Sequence, residues 1–224
     1  MKKTITKEKV VRLAITGSVL AVSVVLGFNC APFAGRQAPS EMASESPLGI
    51  EPQLSVALMS SEQILKAMIS ATGTESLGAP TADDELISST YTLRSGSLPS
   101  ENSLKLATGP MLISVTNLAS AVCNKAVNRD VATAEAQRAS RLFFKEIDFS
   151  KGLSGQSSDS VTPAFERLAR NAWRRDASNA EVDAIIEFAQ EFSDGANAND
   201  PQQTRLMAVS ICTAVLSSID ALTY

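Results

Sequence analysis

Arg167, Arg170 and Arg174 recur at i, i+3 and i+7, and Arg175 stands beside the last of them. On a helix that spacing brings three guanidinium groups to one face. Guanidinium planes grip phosphate or carboxylate through paired N–H donors, so a small-anion site on this face is one candidate chemistry. Glu166, Asp176 and Glu181 lie close enough in sequence to neutralise the stripe, and a solvated, self-paired face is the competing reading. Asp83, Asp84 and Glu85 offer carboxylates for acid–base work. They also sit beside a helix start, where acids serve the helix dipole. Asp194, Asn197, Asn199 and Asp200 gather oxygens of the kind calcium takes, but without the EF-hand alternation of ligands. A glycine stop and an Asp N-cap account for most of these residues, and no metal site is expected. Trp173, the one tryptophan, aligns with Ala169 and Phe165 and reads as a core or half-buried anchor.

The chain contains no histidine. That removes Ser-His-Asp and Cys-His nucleophile activation, common zinc ligation and histidine-ligated c-type haem. No serine stands three residues before a lysine, and neither a Gly-x-Ser-x-Gly elbow nor a Gly-x-x-x-x-Gly-Lys loop occurs. The expectation is a protein with no catalytic residues and no cofactor. The alternative is a carboxylate-based enzyme subunit, such as a hydrolase, or a small-anion-binding module built on the Arg167/Arg170/Arg174 face.

The three cysteines divide by position. Lys2, Lys3, Lys7, Lys9 and Arg12 precede an uncharged run over residues 13–28, and Cys30 follows. A basic start and a short apolar run describe a signal peptide rather than a spanning helix, which needs about 20 apolar residues. "LGFNCA" resembles a bacterial lipobox, relaxed in having Asn29 before the cysteine, as in some spirochaetes and predatory bacteria. Lipidation of Cys30 is the favoured expectation. Cleavage after Gly27 and an uncleaved anchor are the rivals. The stretch from Ala31 to Gln53, rich in Pro, Ala, Ser and Glu, lacks the surface to build a core and suits a flexible tether. With Cys30 taken by lipid, Cys123 and Cys212 form an even pair on two apolar helical stretches. A disulfide between them is expected in an oxidising envelope compartment.

Removing residues 1–29 takes away five cations and one anion and moves the formal charge from −4 to −8. So acidic a protein has no global attraction for nucleic acid. Its expected partners are membrane lipid, through the anchor, and an envelope protein of unknown identity.

The elements that must position these residues read as helices. Ser60 and Gln63 form a capping box and Gly73 a stop, with Ile64, Leu65, Met68 and Ile69 as the apolar stripe. A short helix is expected near Asp84–Ser89. Pro110 opens a helix whose Met111, Val115, Leu118, Val122 and Ala126 recur at helical spacing. Residues 132–149 read as the next helix, with Leu142, Phe143 and Ile147 inward. Thr162–Pro163, Ser178 with Glu181, and Asp200–Pro201 mark three further starts. No segment alternates like a strand. The expected organisation is a signal peptide (1–29), a lipid-anchored tether (30–53) and a single all-α domain (54–224) of five or six helices, packed as a bundle or orthogonal array.

Leu168, Ala169, Arg170, Ala172, Trp173, Arg174, Arg175, Ser178 and Glu181, followed by "RLMAVSICTAVLSSIDAL", resemble the C-terminal helical region of planctomycete-type exported proteins of uncharacterised function. Some members of that family also carry a cytochrome c domain. "SSEQILKAMISATG", "LPSENS" and "LISVTNLASAVCNKAV" are similar to lipoproteins of predatory bacteria. The resemblance implies a cell-envelope location; together with the Cys30 lipobox, the expected place is lipid-anchored in the bacterial cell envelope, at the outer membrane facing periplasm or surface. It implies no reaction, and no haem, because Cys-x-x-Cys-His is absent.

Overall fold

The structure, a computed structural model, describes residues 58–223 except 77, 101–107 and 195–196, with backbone alone at 158 and 159. Cys30 and the expected signal peptide and tether lie outside the described residues. All of the described residues belong to one compact unit, Pro52–Tyr224.

The domain is all-α. Its helices are α1 (Ser61–Thr72), α2 (Ala82–Arg94), α3 (Gly109–Ala132), α4 (Ser158–Trp173), α5 (Asn179–Asp194), α6 (Pro201–Ser217) and a single turn, α7 (Ile219–Leu222). Neighbouring helices run in the order α2, α3, α6, α4, α5, and α1 lies across α3 and α4. The contact between α3 and α6 is the most extensive. There is no strand among the described residues. A lone antiparallel bridge joins Leu58 to Thr223, and the Met59 amide donates to the Leu222 carbonyl at 3.0 Å.

Local chemistry sets the helix ends. The Ser60–Gln63 capping box is formed, and Gly73 ends α1 at φ +56°, the left-handed conformation a glycine adopts without Cβ strain. Arg129 from α3 reaches the two carbonyls at that end, those of Gly73 (2.6 Å) and Thr72 (3.0 Å). A second capping box, Thr81 with Asp84, starts α2. That helix runs to Arg94, well past the expected Ser89. Pro110 lies in the first turn of α3 behind the N-cap Thr108. Met111, Val115, Leu118, Val122 and Ala126 are all buried, as their spacing predicts. Asp200 caps α6 through the Gln202 amide at 2.9 Å.

Two expectations need correction. Residues 132–149 do not form an α-helix. Beyond α3 the chain makes a 3₁₀ turn, Glu135–Ser140, and then runs irregularly to Gly152. Phe143 and Ile147 are buried as expected, but Leu142 is 44% exposed. The cause is long-range hydrogen bonding. Asp130, 1% exposed at the end of α3, accepts the amides of Leu142 (3.1 Å), Phe143 (3.0 Å) and Phe144 (3.1 Å). Those donors are thereby withdrawn from any helical ladder. Arg141 is buried beside them. It donates to the carbonyls of Ile147 (2.7 Å) and Thr133 (3.1 Å), pairs with Glu135, and lies 5.1 Å from the centre of the Phe149 ring. Phe144 meets both Phe143 and Phe149 edge-on.

The second correction concerns α4, which begins at Ser158 rather than at Thr162–Pro163. Pro163 sits inside the helix. Burial of Ser160 and Val161, the latter packed in the core, draws the preceding turn into helical register.

Candidate functional site

The arginine stripe on α4 is divided by the structure. Arg167 turns inward, donating through Nε to the Phe143 carbonyl at 3.0 Å and through Nη1 to Glu146 at 3.0 Å. Burial works to raise the Glu146 carboxyl, but the Arg167 hydrogen bonds prevail and hold it below its ordinary value. Arg170 pairs with Asp176 at 2.8 Å. Arg174 stands just past the helix end at φ +56°. The stripe is thus broken up, and two of its three guanidinium groups already hold a carboxylate of their own chain.

Two of the three carboxylates in the first turn of α2, Asp83 and Asp84, are likewise engaged, and Glu85 is exposed. Asp84 pairs with Lys125 of α3 and accepts from Ser76 and Thr81, which holds its carboxyl well below the usual range. Asp83 accepts from Asn128 at 3.0 and 3.1 Å and from Asn124 at 3.4 Å. The carbonyl oxygens of those two amides accept in turn from Arg205 of α6, at 2.6 and 3.0 Å. This chain of polar contacts sews α2 to α3 and α6. Sequence reasoning missed it, although Asn124, Lys125 and Asn128 recur at helical spacing, which was the available signal.

The loop after α5 also has structural duties. Asn199 accepts from the Ser154 hydroxyl at 2.9 Å, and the Ala198 carbonyl accepts from the Ser154 amide at 2.9 Å. A Cβ on Gly152 would come within 2.4 Å of that same carbonyl, so the approach requires glycine. No group of three or more His, Cys, Asp or Glu is placed to hold a metal among the described residues. No helix among them is long and apolar enough to cross a membrane.

Cys123 and Cys212 are at bonding distance, with their Cα atoms 5.7 Å apart. Both are wholly buried, one on each of the two central helices. Trp173 is the half-buried anchor its spacing predicts. It meets Phe165 edge-on, with ring centres 5.7 Å apart, and donates through Nε1 to the Ser218 hydroxyl (2.7 Å) and the Val215 carbonyl (3.1 Å).

What remains is α5. Its start is held firmly. Ser178 and Glu181 cap each other, and Arg175, lying over the Trp173 ring, joins Glu181 to Asp220 of α7. Its body is not: none of its sixteen residues is buried. Val182, Ile185, Phe188 and Phe192 rest half-exposed on the core. Beside them, a groove of about 220 Å³ opens between α5, α4, α6 and the 3₁₀ turn Leu153–Gly155, with Leu153, Val161, Ile186, Ala189 and Met207 in its lining.

The attachment at Glu181 is pH-dependent. Its carboxyl is lowered to about 2, first by Arg175 and then by the Ser178 amide. An unfolded glutamate titrates near pH 4.3, so this stabilisation is complete above about that pH and is lost as pH falls through 2. Amide protection in the first turns of α5, taken relative to the intrinsic exchange rate at each pH, is expected to fall below about pH 4 in the wild type. In Glu181→Gln that acid-side change should vanish, and an unaltered profile would contradict the assignment.

No protein-family model, curated protein or solved structure matches this chain.

Proposed function

We propose that the protein is a non-enzymatic lipoprotein of the bacterial cell envelope. Cys30 anchors it, and the helical domain is a protein-interaction module or scaffold held off the membrane by the tether. One observation carries the interaction reading: α5 lays Val182, Ile185, Phe188 and Phe192 against the core, and Ile186 along the groove, without fully burying any of them. Half-exposed apolar side chains along one helix are the usual substrate of helix-in-groove recognition. Of the carboxylates and arginines that an enzyme reading needs, Asp84 is committed to Lys125, Arg167 to Glu146 and Arg170 to Asp176. The basic start, the apolar run and the relaxed lipobox around Cys30 support the anchor.

Two measurements test the reading. Intact-mass analysis of the mature protein should show a diacylglycerol-modified N-terminus at Cys30, and Cys30→Ala should move the protein from the detergent phase to the aqueous phase. An unmodified N-terminus at Phe28 would end the anchor. Photo-crosslinkers placed at exposed positions such as Leu93 and Gln190 should yield discrete envelope adducts, and none from any exposed position would end the interaction reading.

A further inference from the structure

Resting on the interaction reading, we propose that the groove beside α5 receives a cationic amphipathic helix of a protein partner, one that seats an aliphatic side chain in the groove and lays lysine or arginine along its lip. The groove supplies the first half of this argument. At about 220 Å³ it is smaller than the roughly 300–1,000 Å³ of cofactor and small-molecule sites. It suits a protruding side chain rather than a whole metabolite. Its apolar lining comes from four elements, with Ile186 and Ala189 on the α5 side.

Charge supplies the second half. From Asn179 to Asp194 the helix has no lysine or arginine. Asp183, Glu187, Glu191 and Asp194 follow one another at four, four and three residues, forming a single stripe. Asp194 and Gln190 themselves line the groove, so the stripe borders it directly. All four acids are exposed, and none has an ion-pair partner among the described residues. The other acids that pair do so with an adjacent cation, as Glu181 does with Arg175. The four form an unanswered row of like charge that meets the apolar slot at Asp194. That pattern repels a second copy of the same face and attracts a basic one.

The test uses the full chain in phosphatidylcholine nanodiscs, with empty nanodiscs subtracted. The probe is a fluorescein-labelled, 18-residue helix of leucine and lysine, followed by anisotropy beside a leucine–glutamate peptide of equal length. Saturable binding of the lysine peptide alone is expected. Glu187→Lys with Glu191→Lys should weaken it at least tenfold. Glu75→Lys with Glu85→Lys, an equal charge change at exposed positions outside α5, should weaken it less than twofold. Gln190→Trp, which fills the groove from an exposed position, should abolish it.

Equal losses in the two double variants would reduce the effect to general charge attraction and overturn the proposal. So would binding that survives Gln190→Trp, binding of the glutamate peptide, or self-association in sedimentation that Gln190→Trp removes. In cells, crosslinks from Leu93 but none from Gln190 would overturn the groove while leaving the interaction reading standing. Crosslinks from no exposed position would end both.

Discussion

Replacing Cys123 and Cys212 together by alanine should lower the unfolding free energy by about 4 to 5 kcal/mol, the chain-entropy figure for a bond closing a loop of this length. The two cysteines lie 89 positions apart in sequence and face each other across α3 and α6, the two helices with the most extensive mutual contact. Their Cα separation of 5.7 Å falls in the ordinary range for disulfides, so α3 and α6 stand at the correct spacing. Both residues are fully buried, and a reductant reaches them only through the unfolded state. Adding dithiothreitol should therefore leave the folded wild type unchanged under native conditions, yet lower its urea midpoint to that of the alanine pair. A wild-type midpoint indifferent to reductant would show that the thiols are not joined. Cys30 is untouched in this variant, so membrane attachment should persist.

Asp130→Ala should cost about 3 to 5 kcal/mol, since hydrogen bonds to a charged group contribute about 1.5–3 kcal/mol each and their orphaned donors are buried. Three backbone amides, those of Leu142, Phe143 and Phe144, converge on this carboxylate. Phe143 and Phe144 are buried and have no water to turn to. The loss should appear as a lowered melting temperature together with early amide exchange over residues 141–149. Asp130→Asn, which keeps one acceptor oxygen, should fall between. A melting temperature within a degree of wild type would show that the segment is held by its phenylalanines alone.

These two sites also mark where the sequence was readable and where it was not. Capping boxes at Ser60–Gln63 and Ser178–Glu181, the Pro110 and Pro201 starts and the Gly73 stop are local signals, each complete within a few residues, and each was legible. The stripe from Met111 to Ala126 was legible because a central helix must bury one face. Residues 132–149 were misread because Leu142, Phe143 and Ile147 do recur at helical spacing. What overrides that spacing is a carboxylate up to fourteen positions upstream and a buried arginine, neither of which has a local signature. Pro163 misled for the opposite reason: a strong local signal for a helix start gave way to the burial of Val161 before it. The groove beside α5 was invisible in sequence, since α4, α5, α6 and the Leu153–Gly155 turn build it from four separated stretches. The unbroken acidity of α5 was on view throughout and gained meaning only when Asp194 was found on the rim.

The bridge between Leu58 and Thr223 makes the domain, as a path, a closed excursion. Paired strand residues lie about 4.5–5.5 Å apart, so some 160 residues of folded chain produce almost no net displacement between arrival and departure. A tension drawn along the polypeptide through these two points would load a single rung and bypass the helices. For the same reason the fold can be spliced into a surface loop of another protein without prising that loop's ends apart.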